Sequence, residues 1–213
     1  MKNILDIKNT FYINLEYRED RKKHAEEQLE KIGIKNYQRF NAIEMDFGAI
    51  GCSMSHLKCL QIARENNWSH LLICEDDILF LDPELLVRQL NTFLENHQDD
   101  WDVVLLAGNN TSPYIEVDNC CLQVGRCQTT TGYIVKSHYY ETLISNISES
   151  IEKLTADPYN RTSYAIDRYW FTLQERDRWF LIVPLSVIQK NDYSDIEKKY
   201  ISYSQAMMDM NIE

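Results

Sequence analysis

No stretch of this 213-residue chain approaches the ~20 consecutive apolar residues that a membrane-spanning helix needs. Its opening segment, MKNILDIKNTFYINL, lacks the long apolar stretch of a secretory signal. The expectation is a soluble, cytoplasmic protein with no transmembrane segment. Positive charge is also scarce, with 22 Lys and Arg against 33 Asp and Glu and a formal net charge of -11. A surface of that sign repels phosphate backbones, so nucleic acid is not an expected partner. It repels a free nucleotide too, and a diphosphate site here therefore requires a bound cation or a local basic cluster. The six cysteines, at 52, 59, 74, 120, 121 and 127, contain no CxxC pair with a matching second pair. Their spacing gives little support to a structural zinc site, and reduced, mostly buried thiols are expected. Internal repeats and low-complexity tracts are absent, and a hydrophobic content of 44% is enough for the core of one domain over residues 1–213.

What is present is an alternation of strand-like and helix-like segments. Thr10 to Leu15 is rich in aromatic and β-branched residues, and Ala25, Leu29 and Ile32 then recur at helical spacing up to Gly33. Tyr37 to Ile43 reads as a second strand, and Ile50, Met54, Leu57 and Leu60 mark a helix to about Asn66. His70 to Cys74 (HLLIC) has the length and apolarity of a buried parallel strand and ends in Glu75, Asp76 and Asp77. Asp82 and Pro83 signal a helix start, and that helix runs to about Asn96. Strands are predicted at Asp102 to Ala107, Gly132 to Val135 and Phe180 to Val183, and helices at Ser137 to Ser148 and Tyr164 to Leu173. The polar segment Asn109 to Cys120, with Pro113, reads as a surface loop, and the residues after Asn191 as a tail or a flap. This order predicts an α/β fold with a single Rossmann-type, mostly parallel sheet flanked by helices.

Ligands of open α/β sheets bind beyond the carboxyl ends of the strands, where the acidic triplet sits. Three adjacent carboxylates repel one another unless a cation, hydrogen bonds or solvent compensates, and a hard divalent ion prefers such oxygen ligands. A solvated acidic turn accounts for the triplet alone equally well. Arg18, Arg21, Lys22 and Lys23 follow the first strand, where Arg offers bidentate donors to phosphate, although a charged helix face has the same pattern. Ser55 and His56 are placed near a helix start with polar groups for a ribose or base. Asp167, flanked by Tyr169 and Trp170, suits a sugar acceptor that stacks on a ring while a carboxylate takes its hydroxyl proton, and core packing explains the aromatics as well. The polar segment Gln189 to Asp195 is a further candidate.

Taken in order, Phe11 to Leu15 with Arg18 to Arg21, Gly48 to His56, and Leu72 to Asp77 resemble glycosyltransferase family 25, which includes lipooligosaccharide and collagen galactosyltransferases. The resemblance continues through Gly132 to Val135, Ala165 to Asp167, Pro184, Gln189 and Ser194 to Ile196. It implies a GT-A fold and inverting transfer of a sugar, often galactose, from a UDP-sugar donor to a saccharide or glycoconjugate acceptor. It also implies a manganese ion on a DxD-like motif whose first acid is Glu75 here. In that reading Asp77 is the main metal ligand, with Glu75 or Asp76 contacting ribose or metal-bound water. Asn14, Arg18 and Arg21 then lie near the nucleotide, and Asp167 is the acceptor base. A lipid-linked acceptor leaves room for peripheral membrane contact. The rivals are a nucleotidyltransferase or nucleotide-sugar hydrolase on a similar sheet, and a catalytically silent nucleotide-sugar-binding module.

Overall fold

In β3 (His70–Glu75) successive side chains point to opposite faces, and both faces are buried. Leu72 and Cys74 enter one apolar cluster, and Leu71 and Ile73 enter the other. That double burial is the reason the strand reads as a continuous apolar run, and it places β3 inside a sheet with helices on both sides. The computed structural model describes residues 1–98, 100–194, 199–202 and 207–208.

Ahead of β3 come β1 (Thr10–Asn14), α1 (Glu19–Lys31), β2 (Gln38–Asn41) and α2 (Gly48–Glu65). After it come β4 (Ile78–Phe80), α3 (Pro83–His97), β5 (Val103–Leu105), β6 (Asn109–Glu116), β7 (Cys121–Gln128) and β8 (Gly132–Lys136). The chain continues with α4 (Tyr140–Ala156), the single turns α5 (Arg161–Tyr164), α6 (Ile166–Tyr169) and α7 (Phe171–Gln174), then β9 (Trp179–Ile182), β10 (Val187–Gln189), β11 (Asp192–Ser194) and β12 (Lys199–Ile201). The main sheet runs in the order β2-β1-β3-β8-β5-β9-β7-β6. Strands β1, β2, β3, β5 and β9 point the same way, and β8 is inserted antiparallel between β3 and β5. The predicted α/β, mostly parallel architecture is therefore present, with α1 and α3 contributing to one apolar cluster and α2 and α4 to the other. Asp82 caps α3 by accepting from Leu85 N at 2.9 Å, with Pro83 in the first turn, as the sequence signals.

Two local expectations are corrected. The predicted loop Asn109 to Cys120 contains β6, which pairs antiparallel with β7. Its polarity follows from its place at the sheet edge, and Pro113 falls where the register shifts between Thr111 and Tyr114, so no ladder bond is lost to it. The predicted helix from Tyr164 to Leu173 is broken into the turns α5 to α7, because Ala165 is extended at φ -58°, ψ 146°. The segment after Asn191, read as a tail or a flap, includes β11 and β12, which pair antiparallel. Asp195 and Ile196, named above, lie outside the described residues. Among the described residues no helix is long and apolar enough to cross a membrane.

Candidate active site

Because β8 runs antiparallel to β3, with Gly132 opposite Cys74, the loop leaving β3 and the polar run entering β8 meet at one sheet edge. Asn14, at the end of β1, adjoins them. These segments, the 42–49 loop, part of residues 159–168 and Gln189 line a cleft of about 670 Å³.

The three acids at its base have different surroundings. Asp76 is buried and bonded, accepting from Asn14 Nδ2 at 2.8 Å and from Arg21 Nη1 at 2.9 Å. Burial still raises its pKa, with Arg21 opposing the shift. Glu75 Oε1 accepts from Thr130 Oγ1 at 2.7 Å, and Oε2 accepts from Gln189 Nε2 at 3.2 Å. Burial works to raise the Glu75 pKa, but the His56 ring, Thr130 and Cys52 outweigh it and hold the carboxyl below its usual range. Asp77 has the least support. Its Oδ2 lies 3.5 Å from Arg21 Nη1, and its buried Oδ1 has no hydrogen-bond partner. Burial, and then the charges of Glu75 and Asp76, push it up to about 8, against partial compensation from Arg21 and Gln189. Asp77 Oδ1 is thus the atom of the triplet that best fits a hard cation. Among the described residues Glu75 Oε2 accepts from Gln189 alone, and it keeps a lone pair for a cation.

Other predicted residues are placed as follows. Asn14 Nδ2 also donates to the Arg18 carbonyl at 3.1 Å, and its Oδ1 accepts from Arg39 Nε at 3.0 Å. Arg21 reaches the cleft and donates through Nη2 to the Tyr193 carbonyl at 2.9 Å. Arg18 is not among the residues lining the cleft, and its guanidinium lies on Asp20 at 3.0 Å and near Asp192 at 3.7 Å. Ser55 sits in the second turn of α2 rather than at its start, donating to Gly51 O at 2.7 Å and accepting from Ile43 N at 2.9 Å. It fastens the 42–45 loop to the helix. Gly51 serves the same junction, since a Cβ there would stand 2.3 Å from Ile43 O. His56 is fully buried, with Nδ1 2.9 Å from Tyr133 Oη and Nε2 3.6 Å from Glu75 Oε1, an ion-pair separation longer than a hydrogen bond. Asp167 lines the cleft, and its Oδ2 accepts from Thr129 N at 3.1 Å. Burial raises its pKa above the ordinary aspartate value.

The segment 44–168, more than half of the chain, matches the family model described as Glycosyltransferase family 25 (LPS biosynthesis protein). The chain belongs to that family. This family 25 member is accordingly a transferase of the glycosyltransferase class. No curated protein sequence matches it. Among solved structures, UDP-glucose pyrophosphorylase complexed with UDP-glucose is similar with a TM-score of 0.50 and 10% identity over 83% of this chain and 90% of that one. A glycosyltransferase involved in the glycosylation of the major capsid of PBCV-1 gives 0.45 and 10% over 83% and 92%. A mannose-1-phosphate geranyltransferase from Thermus thermophilus gives 0.48 and 15% over 85% and 74%. The likeness to the pyrophosphorylase concerns the fold, which is GT-A-like.

Reading the sequence missed Thr130, Arg39 and Cys52 as partners in this site. The run Gln128 to Thr131 was the available signal, a polar stretch ahead of an apolar strand. It points to the site only once β8 is known to run antiparallel.

Proposed function

We propose that this family 25 member transfers a sugar, galactose first among the candidates, from a UDP-sugar to a saccharide or glycoconjugate acceptor with inversion at the anomeric carbon. The observation that carries the proposal is Asp77, a carboxylate lifted to about 8 and left with an unpartnered buried oxygen in a cleft that Asp167 also lines. A site with that surplus of negative charge repels a diphosphate unless a cation accompanies it. Asp77 would hold a divalent cation, manganese preferred, with Asp76 beside it. When bound, the cation supplies electrostatic neutralisation of the leaving diphosphate.

The chain's own residues divide the remaining work. Arg21 keeps Asp76 and Asp77 together, and its buried Nε faces Asp192 Oδ2 at 3.7 Å. Asn14, itself held by Arg39, fixes the carboxylate of Asp76 from the β1 side. Thr129 N–H fixes one oxygen of Asp167, and the other takes the acceptor's hydroxyl proton as the new glycosidic bond forms opposite the leaving group. A carboxyl with a raised pKa is a better base than an ordinary aspartate. At the cleft mouth, Tyr159 is 86% exposed and meets Phe47 edge-on at 5.7 Å, an arrangement suited to stacking an acceptor sugar ring.

The test is UDP release from a panel of UDP-sugars with and without manganese, followed by product analysis and repeated with Asp77→Ala. Metal-dependent release selective for one sugar, yielding UDP and a glycoside and lost in the variant, is the expected result. UDP with free sugar identifies a hydrolase, and pyrophosphate identifies a nucleotidyltransferase. Donor binding without turnover identifies a silent module, and normal turnover by Asp77→Ala overturns the role of the triplet.

A further inference from the structure

Away from the cleft, the end of α3 and the turn between β6 and β7 bring together an imidazole, a carboxylate and two thiols. His97 Nε2 lies 2.9 Å from Asp118 Oδ2 and 3.6 Å from Cys121 Sγ. Cys120 Sγ lies 2.9 Å and Cys121 Sγ 3.4 Å from Asp118 Oδ1. One ligand atom from each of the four residues falls within 4.8 Å of all the others, and none of the four lines the donor cleft. We propose that His97, Asp118, Cys120 and Cys121 form a structural zinc site that fastens the β6–β7 hairpin to the end of α3.

Three features separate this cluster from an ordinary set of buried thiols. The first is geometry: with zinc bonds of about 2.0 to 2.3 Å, tetrahedral ligand atoms stand about 3.3 to 3.8 Å apart. The 3.6 Å between Cys121 Sγ and His97 Nε2 already matches, and the 2.9 Å hydrogen bond between His97 Nε2 and Asp118 Oδ2 opens by about 0.5 Å when a metal takes its place. The second is orientation. Asp118 Oδ1 accepts from the backbone N–H groups of Cys120 at 2.8 Å and Cys121 at 3.1 Å, which fixes the carboxylate with Oδ2 toward His97. The imidazole is itself stacked on Phe93 at 4.7 Å and tilted against Phe180 at 5.5 Å. Supporting contacts of this kind hold ligands in place before the metal arrives.

The third is donor chemistry. Two sulfurs and a nitrogen favour zinc over the hard, oxygen-seeking cation proposed for Asp77. Without metal, both thiols are protonated at neutral pH, as ordinary cysteines are. Zinc binding therefore expels two thiol protons to solvent and leaves two thiolates, one carboxylate and one neutral imidazole around the ion. No CxxC spacing announces the site, because Cys120 and Cys121 are adjacent and the other two ligands come from a helix end and a turn.

The full chain, reduced and loaded with zinc and then freed of loose metal by gel filtration, is expected to retain one tightly held equivalent and to release two protons on loading. Cobalt in place of zinc should give thiolate-to-cobalt charge-transfer bands in the unmodified protein, a readout that needs no variant to fold. The Cys120→Ser/Cys121→Ser pair should lose both signals, and Cys52→Ser should keep them. His97→Gln should weaken retention by more than the roughly 10- to 100-fold that follows loss of an outer-shell partner. The proposal is overturned if the wild-type chain retains no zinc. It is equally overturned if the signals survive the double cysteine change and vanish in Cys52→Ser, which would place the metal on Cys52, His56 and Glu75 instead. Neither result depends on UDP release, so the failure of this site and the failure of the donor site are distinguishable.

Discussion

Replacing Asp77 with Asn should stabilise the metal-free protein while removing its activity. An acid whose pKa is higher in the folded than in the unfolded state binds more protons when folded, so stability falls as pH rises through the interval between the two values. For Asp77 that interval runs from the ordinary aspartate value of 3.8 to about 8. At ~1.36 kcal/mol per pKa unit, the burden on the folded state is about 2 kcal/mol at pH 5 and about 4 kcal/mol at pH 7. The figure at pH 7 is an upper bound, because Glu75 and Asp76 also relax when the charge is removed. For a chain of this size ~1 kcal/mol corresponds to about 2–4 °C, so Asp77→Asn should melt up to about 16 °C above wild type at pH 7. The assay is thermal melting in chelator at pH 5 and pH 7, repeated at pH 7 with manganese. Metal should stabilise wild type alone and close the gap. A gap that fails to widen from pH 5 to pH 7, or a variant less stable than wild type at both, refutes the assignment of Asp77 as an uncompensated buried charge.

Asp167→Asn should lower kcat by about 10²- to 10⁴-fold and leave donor affinity unchanged, as measured by single-turnover kinetics and donor titration. In the wild type, activity should rise with pH through a value above that of an ordinary aspartate, because the base works only when ionised and burial raises its pKa. Gly51→Ala should destabilise the chain by about 1–3 kcal/mol in urea unfolding and weaken donor binding, since the added Cβ drives Ile43 and the 42–45 loop away from α2. Tyr159→Ala should raise the acceptor KM by about 2- to 12-fold with little change in donor affinity, the equivalent of about 0.5–1.5 kcal/mol of ring stacking, read from initial rates at saturating donor.

The parts of the fold that announce themselves in sequence are those whose burial is set by one element. His70 to Cys74 is apolar because both its faces are covered, and the abrupt change to Glu75 marks where cover ends and the cleft begins. The α3 start is equally local, since Asp82 caps a backbone amide only three residues away. Polar elements were misread because their character depends on neighbours distant in sequence. Strand β6 carries exposed polar residues since it lies at the edge, and its pairing with β7 leaves no period-two apolar pattern. Asp76 and Asp77 are neighbours, yet one is bonded by Asn14 and Arg21 and the other keeps an oxygen unpaired. That difference decides which of them suits a cation, and composition gives no hint of it. Ser55 illustrates the converse: its motif is visible, but its hydroxyl is spent on Gly51 and Ile43.

The side chains that complete the acidic site come from segments far apart in sequence. Gln189 reaches Glu75 across 114 residues, and Arg21 reaches the Tyr193 carbonyl across 172. The family-matched segment, 44–168, contains the triplet and Asp167 but neither Arg21 nor Gln189. On a ribosome adding roughly 5–20 residues per second, the acids emerge several seconds before β10 exists to pair with β4. A nascent chain thus carries the charge of the cleft without Gln189 to brace it, and the cleft is whole only after β10 has been made.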